Sequence, residues 1–384
     1  GERNTAVGWY ALAESAGSYN VSLGMHAGKG AGSGNTSLGY DAGRNTTGDD
    51  NVIIGREAGF GVSATSSFSN TVAVGYQALY DLTTGIGNTA VGYLTATNTT
   101  EGNYNTALGY QALINPISNS RATAIGYKAL EDAGYSDTAV GYIAGRNSTG
   151  GYSTFIGAGA GSNVTGATNT FVGYSAGLGQ AGSSGQQNVS VGAYTLYNLT
   201  TGGNNTALGH QAGYSVETGT YNVFLGWRAG YSETGSNKLY IANSDTATPL
   251  IYGEFDNDLV RINGTLEASG SMVISGSLTV TGTITELSSE RFKENIHPLT
   301  GSLEKANQLQ GVSFNRIGQP DTEFGFIAEQ VAEIFPELVY RDTYTQEVIG
   351  VQYTRVTAVL LESVKELSSK LNAVEERLNK LESK

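Results

Sequence analysis

The sequence predicts a mainly β fold: a repetitive parallel β-roll or β-solenoid, then an intertwined β-stalk, then an α+β segment ending in a trimeric coiled coil. Three observations predict it. Fourteen copies of a unit reading Asn-Thr-Ala-Val-Gly-Tyr-x-Ala-[Leu/Gly] follow one another at spacings of 15 to 20 residues. Gly264, Gly270, Gly276 and Gly282 then recur every six residues. Last comes a seam of Leu360, Val364, Leu367, Leu371, Val374, Leu378 and Leu381, spaced alternately four and three apart.

The repeat, taken as residues 1–232, is anchored on Gly8, Gly24, Gly39, Gly55, Gly75, Gly92, Gly109, Gly126, Gly141, Gly157, Gly173, Gly192, Gly209 and Gly226. The residue before each Gly is Val, Leu or Ile, and the residue two further back is Thr or Val. Positions two apart on a strand share a face, so these two columns are expected to point inward together. Asn occupies the fourth position before Gly in ten copies, where it is expected to serve a turn by tolerating left-handed backbone. Ala stands three after the Gly in twelve copies, small enough to let coils approach. One such coil cannot bury a face of its own, but stacked coils can. The Tyr column after the Gly is read as a structural stack in preference to a sugar-binding ladder. Val replaces Thr at the strand start in five copies, which speaks against an outward, ice-binding Thr face. Gly1 falls inside a repeat, so the chain is expected to be part of a longer array.

Composition narrows the function. Gly makes up 54 of 384 residues, Pro only 5, and charged residues 14%, unlike a disordered linker or, without a Gly-X-Y period, a collagen. With no Cys and three scattered His, disulfides and thiolate metal sites are excluded, and no metal or cofactor is expected. No apolar run reaches the roughly 18 residues of a membrane span, and no signal peptide opens the chain. The net charge of −13 disfavours nucleic acid and anionic membranes as partners. Charge is also uneven. Residues 1–287 hold 29 charged side chains, whereas residues 288–384 hold 26 in about a third of the length. A second domain therefore begins near residue 288.

Between the two, residues 233–287 read as a neck. Lys238-Leu239-Tyr240-Ile241 and Pro249-Leu250-Ile251-Tyr252 are expected as short strands. In the glycine hexads the second residue after each Gly is apolar (Leu266, Met272, Leu278, Ile284), as suits three chains wound about one axis. From Tyr353 the pattern turns helical and carries the heptad seam, whose charged end, Glu375-Glu376-Arg377, is best explained by self-association.

The chemistry lies in residues 288–384. Ser288-Ser289-Glu290-Arg291-Phe292-Lys293 places a hydroxyl and an amine five apart, a weak signal alone. Its context raises it: Gly325-Phe326-Ile327-Ala328-Glu329-Gln330-Val331, Phe335-Pro336-Glu337-Leu338-Val339, then Val351-Gln352-Tyr353 entering the helix. Together these resemble the C-terminal intramolecular chaperone of phage endosialidases and tail fibres, a self-cleaving Ser–Lys peptidase. The resemblance implies Ser288 as nucleophile, Lys293 as base and cleavage between Leu287 and Ser288. Lysine takes a hydroxyl proton only when neutral, which burial favours; if trimer packing supplies the burial, cleavage waits for assembly. Ser289 stands where the family usually has Asp and is a backup nucleophile; His297 matches no family role.

The repeats themselves resemble the head repeats of trimeric autotransporter adhesins, and similar repeats occur in phage tail fibres. Trimerisation is what this resemblance implies. The expected protein is thus a homotrimeric virion tail fibre for host attachment, with a host surface glycan or protein as receptor, other tail proteins as neighbours, and no membrane insertion. A bacterial surface adhesin carrying the same chaperone is the alternative. A glycan depolymerase is a third class, disfavoured because the repeats show no recurring carboxylate pair of the kind glycosidases need.

Overall fold

Each repeat forms one coil of a solenoid, and each coil contributes one three-residue strand to a continuous parallel ladder. The computed structural model describes residues 1–384 except 63–65, 116, 117, 119, 133, 270, 271, 273, 275–277, 285–287, 319, 343, 344 and 384. Two units are present, Gly1–Met272 and Val273–Lys384. In the first, strands β1 (Thr5–Val7) to β14 (Val223–Leu225) stack in order, residue for residue, as in Thr89↔Thr106, Ala90↔Ala107 and Val91↔Leu108. β15 (Lys238–Ile241) joins β14 in parallel; β16 (Ile251–Glu254) and β17 (Leu259–Ile262) then fold back antiparallel and complete one 17-stranded sheet. The neck strands expected from the sequence are β15 and, starting two residues later, β16.

The expected facing of the columns is reversed. The middle residue of each coil strand points inward, as with Ala73, Ala107, Phe155, Phe171 and Phe224, all buried. The Thr/Val and Val/Leu/Ile columns point outward, and Val7, Leu23, Leu108, Ile156, Leu208 and Leu225 are exposed. The reason is volume. The coil interior is narrow and is shared between the mid-strand residue and the residue four after the Gly. Where the strand supplies Phe155, Phe171 or Phe224, that residue is Gly161, Gly177 or Gly230; where it supplies Ala73, Ala107 or Ala124, it is Leu79, Leu113 or Leu130. A Cβ on Gly161 would lie 2.0 Å from Phe155 Cδ1. In other coils the large group comes from a neighbour: Ala139 is paired with Gly145, where a Cβ would lie 2.6 Å from Phe155 and 2.7 Å from Leu130 of the adjoining coils.

Two further columns are set by backbone. The Gly ending each strand has φ near +130°, and at Gly109 a Cβ would meet Gly126 O at 2.5 Å, so neither the angle nor the stacking admits a side chain. The left-handed residue is not the Asn, as expected, but the one before it: Tyr104, Asn204 and Tyr221 have φ of 56°, 58° and 58°. The Asn is buried and serves a ladder. Asn88 Nδ2 donates to Gly102 O at 2.7 Å, and Asn105 N–H donates to Asn88 Oδ1 at 2.9 Å, each coil tied to the next. Asp137 stands in this column fully buried, accepting from Gly134 N–H and Ser153 N–H at 2.9 Å each. Burial pushes its carboxyl up to about 6 against the pull of those two bonds.

The Tyr column is a structural stack. Tyr76, Tyr93, Tyr110, Tyr127 and Tyr142 lie ring on ring, centroids 5.1 to 5.2 Å apart. Beyond β17, Gly270 and Gly276 of the hexads lie outside the described residues. Among the described residues from 263 to 284 no strand forms, and Leu266, Met272, Ile274, Leu278, Val280 and Ile284 are exposed.

The second unit contains α1 (Ser302–Ala306), the hairpin β18 (Val312–Asn315) and β19 (Thr322–Gly325), α2 (Ala328–Ile334), the pair β20 (Val339–Arg341) and β21 (Val348–Val351), and α3 (Tyr353–Glu382). The helix begins at Tyr353 as the sequence predicts. Val356 and Val359 of its first turns join Val331, Phe335, Leu338 and Val339 in a small core. The seam beyond is open, from Leu360 at 52% exposed to Leu381 at 70%. No helix among the described residues is long and apolar enough to cross a membrane.

Candidate functional site

The Ser–Lys pair is assembled by a single turn. Residues Glu290–Phe292 form a turn of 3-10 helix in which Phe292 N–H donates to Ser289 O at 3.0 Å and Lys293 N–H to Glu290 O at 2.9 Å. Reversing the chain within five residues brings the two side chains together, and Lys293 Nζ donates to Ser288 Oγ at 2.6 Å. That distance is within reach for proton transfer between a nucleophile and its base. Both residues are exposed, as are Ser289 and His297. Leu287, on the other side of the expected scissile bond, lies outside the described residues.

The motifs that gave the pair its context are the framework of the unit. Phe335, Leu338 and Val339 enclose the core with Val331 of α2, and Val351 packs against it. Gln352 N–H donates to Leu338 O at 2.7 Å, tying the entry of α3 to the turn after α2. Tyr353 stacks on Phe326 at 6.1 Å, and its hydroxyl accepts from Phe326 N–H at 3.1 Å. A Cβ on Gly325 would meet that hydroxyl at 2.5 Å, so the residue before Phe326 must be small.

One residue of the framework escaped sequence reasoning. Glu366 of α3 accepts from Ser302 N–H at 2.9 Å and Leu303 N–H at 3.0 Å, clasping the start of α1 with both carboxylate oxygens. These backbone bonds hold its carboxyl below the usual carboxylate range. Its partners lie over sixty residues away, and a Glu on a heptad helix otherwise reads as a solvated charge.

Residues 288–340 match the family model described as chaperone of endosialidase. The match begins at Ser288, includes Lys293, and covers the motifs as far as β20. Over 98 residues the chain is 31% identical to the long tail fiber protein Gp37 of Enterobacteria phage K3, and equally to that of Enterobacteria phage T2. These alignments take in 24% of the chain and 8% and 7% of the two fibre proteins, so the chain spans a small part of their length. The chain is therefore similar to phage tail fibre proteins and carries, from Ser288, a segment similar to the chaperone of endosialidase.

Proposed function

We propose that the chain is part of a homotrimeric phage tail fibre that attaches to a host surface, with residues 288–384 acting as an assembly chaperone that cuts itself free. The observation that carries this reading is the outward face of the coils. Fourteen Thr or Val side chains alternate with fourteen Val, Leu or Ile side chains along strands about 4.8 Å apart, a stripe roughly 60 Å long. An aliphatic stripe of that extent is a contact surface for protein, and its regularity suits a second and third copy of the same repeat. An ice-contacting array is a poorer account, because one of its two columns is wholly aliphatic. The hexads and the heptad seam leave further apolar side chains open in tandem, as three chains in register would close them.

Parallel ladders of this length fold slowly and expose edges on the way, which gives a C-terminal trimerising device its purpose. For cleavage, Lys293 takes the hydroxyl proton as Ser288 Oγ attacks the Leu287 carbonyl carbon. The Leu287–Ser288 C–N bond breaks as the amine receives that proton, and water hydrolyses the resulting ester. The exposed pair becomes a competent site when neighbouring chains cover it, so cutting follows assembly. Loss of the chaperone then makes unfolding a matter of kinetics.

Three variants test the reading. Residues 1–287 expressed alone should yield aggregates or monomers, and a soluble native trimer from them would remove the chaperone role. Ser288→Ala and Lys293→Ala should each trimerise yet run as one uncut band on a denaturing gel. Cutting that persists in Ser288→Ala would remove the peptidase role.

A further inference from the structure

We propose that Tyr142 and Tyr174, standing on either side of Ala158, form a slot that takes one neutral hexopyranose ring of a surface glycan; the proposal names a ligand class for the attachment role above and rests on it. The residue after the corner Gly is aromatic in nine of the fourteen coils, and from Tyr76 to Tyr142 each ring covers the next. After Gly157 that residue is Ala158, and the column stays open for one coil before Tyr174 resumes it. Two strand spacings put the Tyr142 and Tyr174 positions about 9.6 Å apart, against about 5 Å for rings in contact. The gap is one ring wide. Exposure marks its open walls: Tyr127, covered on both sides, is 41% exposed, whereas Tyr142 is 57% and Tyr174 54%. Each wall has a ring against it, Tyr142 stacked on Tyr127 at 5.1 Å and Tyr174 meeting Tyr194 edge-on at 5.2 Å.

The chain shows how such a gap is filled when its guest is a charged group. Arg56 interrupts the same column between Tyr40 and Tyr76, and its guanidinium lies over both rings, 5.9 and 5.7 Å from their centroids. Glu57 pairs with that cation at 3.1 Å. At the open gap the residue matching Glu57 is Gly159, and no Asp, Glu, Lys or Arg occurs from 147 to 216. A cation would enter without the counter-charge that Glu57 gives Arg56, which favours a neutral guest. A pyranose ring offers aliphatic C–H faces to an aromatic wall on each side and equatorial hydroxyls to the tyrosine hydroxyls at the rim. Few polar groups on mostly apolar walls is the usual make-up of a small-molecule site.

Ala158→Tyr tests this, because it installs the commonest residue of that column and closes the gap while keeping the repeat. Saturation-transfer difference NMR on the full chain would be run with methyl glucoside, galactoside, mannoside and the two N-acetylhexosamine glycosides, and with benzyl alcohol as an aromatic probe. At least one pyranoside should show transfer to its ring C–H protons, reduced at least tenfold in Ala158→Tyr, with chain stoichiometry and thermal midpoint unchanged. No transfer to any pyranoside, transfer that survives the substitution, or transfer to benzyl alcohol alone would overturn the slot. Adsorption to a panel of enteric bacterial strains separates this proposal from the attachment reading. Wild type and Ala158→Tyr both adsorbing, and equally, without slot-dependent pyranoside transfer would defeat the slot and leave attachment standing. Slot-dependent pyranoside transfer in a chain that adsorbs to no strain would support the slot and defeat attachment.

Discussion

Replacing Asp137 by Asn, the usual residue of its column, will raise the stability of the solenoid at neutral pH and remove a pH dependence that the wild-type chain carries. The carboxyl is fully buried, and the displacement from an ordinary 3.8 to about 6 is worth about 3 kcal/mol per chain at ~1.4 kcal/mol per pH unit. Because the folded state holds this proton more tightly than the unfolded state, stability falls as pH rises from about 3.8 to about 6 and is level above that window. Asn keeps the acceptor for Ser153 N–H but forfeits one of the two bonds, that from Gly134 N–H, at a cost of about 1 kcal/mol. The net gain at pH 7 is then about 2 kcal/mol by the same figures. Thermal midpoints followed by circular dichroism at one scan rate, between pH 4 and pH 7, would read it. The variant should melt above the wild type at pH 7 and lose the advantage by pH 4. Parallel pH profiles for the two proteins, or a lower midpoint for the variant at pH 7, would refute the reasoning.

Two other outcomes follow from the packing. Gly161→Leu should destabilise the array strongly because Phe155 already fills that volume, and Phe155→Ala alone should cost about 3–5 kcal/mol through the cavity it leaves. The double variant recreates the Ala–Leu pairing of other coils, so a positive coupling of about 1–3 kcal/mol in a denaturation cycle is expected; simple additivity would contradict the shared-volume account. Glu366→Gln should loosen α1 from α3 and speed hydrogen exchange at Ser302 and Leu303. In the wild type this clasp is present at neutral pH and is lost only as acid takes the pH down through the lowered carboxyl value. Unchanged exchange at those two amides in the variant would show that the clasp does not hold α1.

The repeat, the neck strands and the start of α3 were legible because each rests on local periodicity. The facing of the coil strands was not. Val91 and Leu108 read as core by the alternation rule, yet the interior takes the small Ala90 and Ala107 together with a bulky residue from the following turn. The alternation rule takes the larger side chains of a strand as its core face, whereas here the narrow coil interior takes the small mid-strand residue. Asn88 and Asn105 were assigned to the wrong task for a related reason: turn propensity is a local property, whereas a ladder between coils appears only once the coils are stacked. The Ser288–Lys293 pair was legible through the motifs around it, and a single turn brings the two together. Among the described residues both side chains are exposed, so the burial that would favour a neutral Lys293 is not found there. The Asp137 signal was present as one acid in a column of amides, and Glu366 left no local signal at all.

Native mass spectrometry of the freshly folded wild type, alongside Ser288→Ala, tests the central claim most directly, because it reports stoichiometry and cutting together. The wild type should appear as a complex of three chains in which the fragments of 287 and 97 residues account for the mass, and Ser288→Ala as three intact chains. Folded wild-type protein that flies as a single uncut chain would contradict the account.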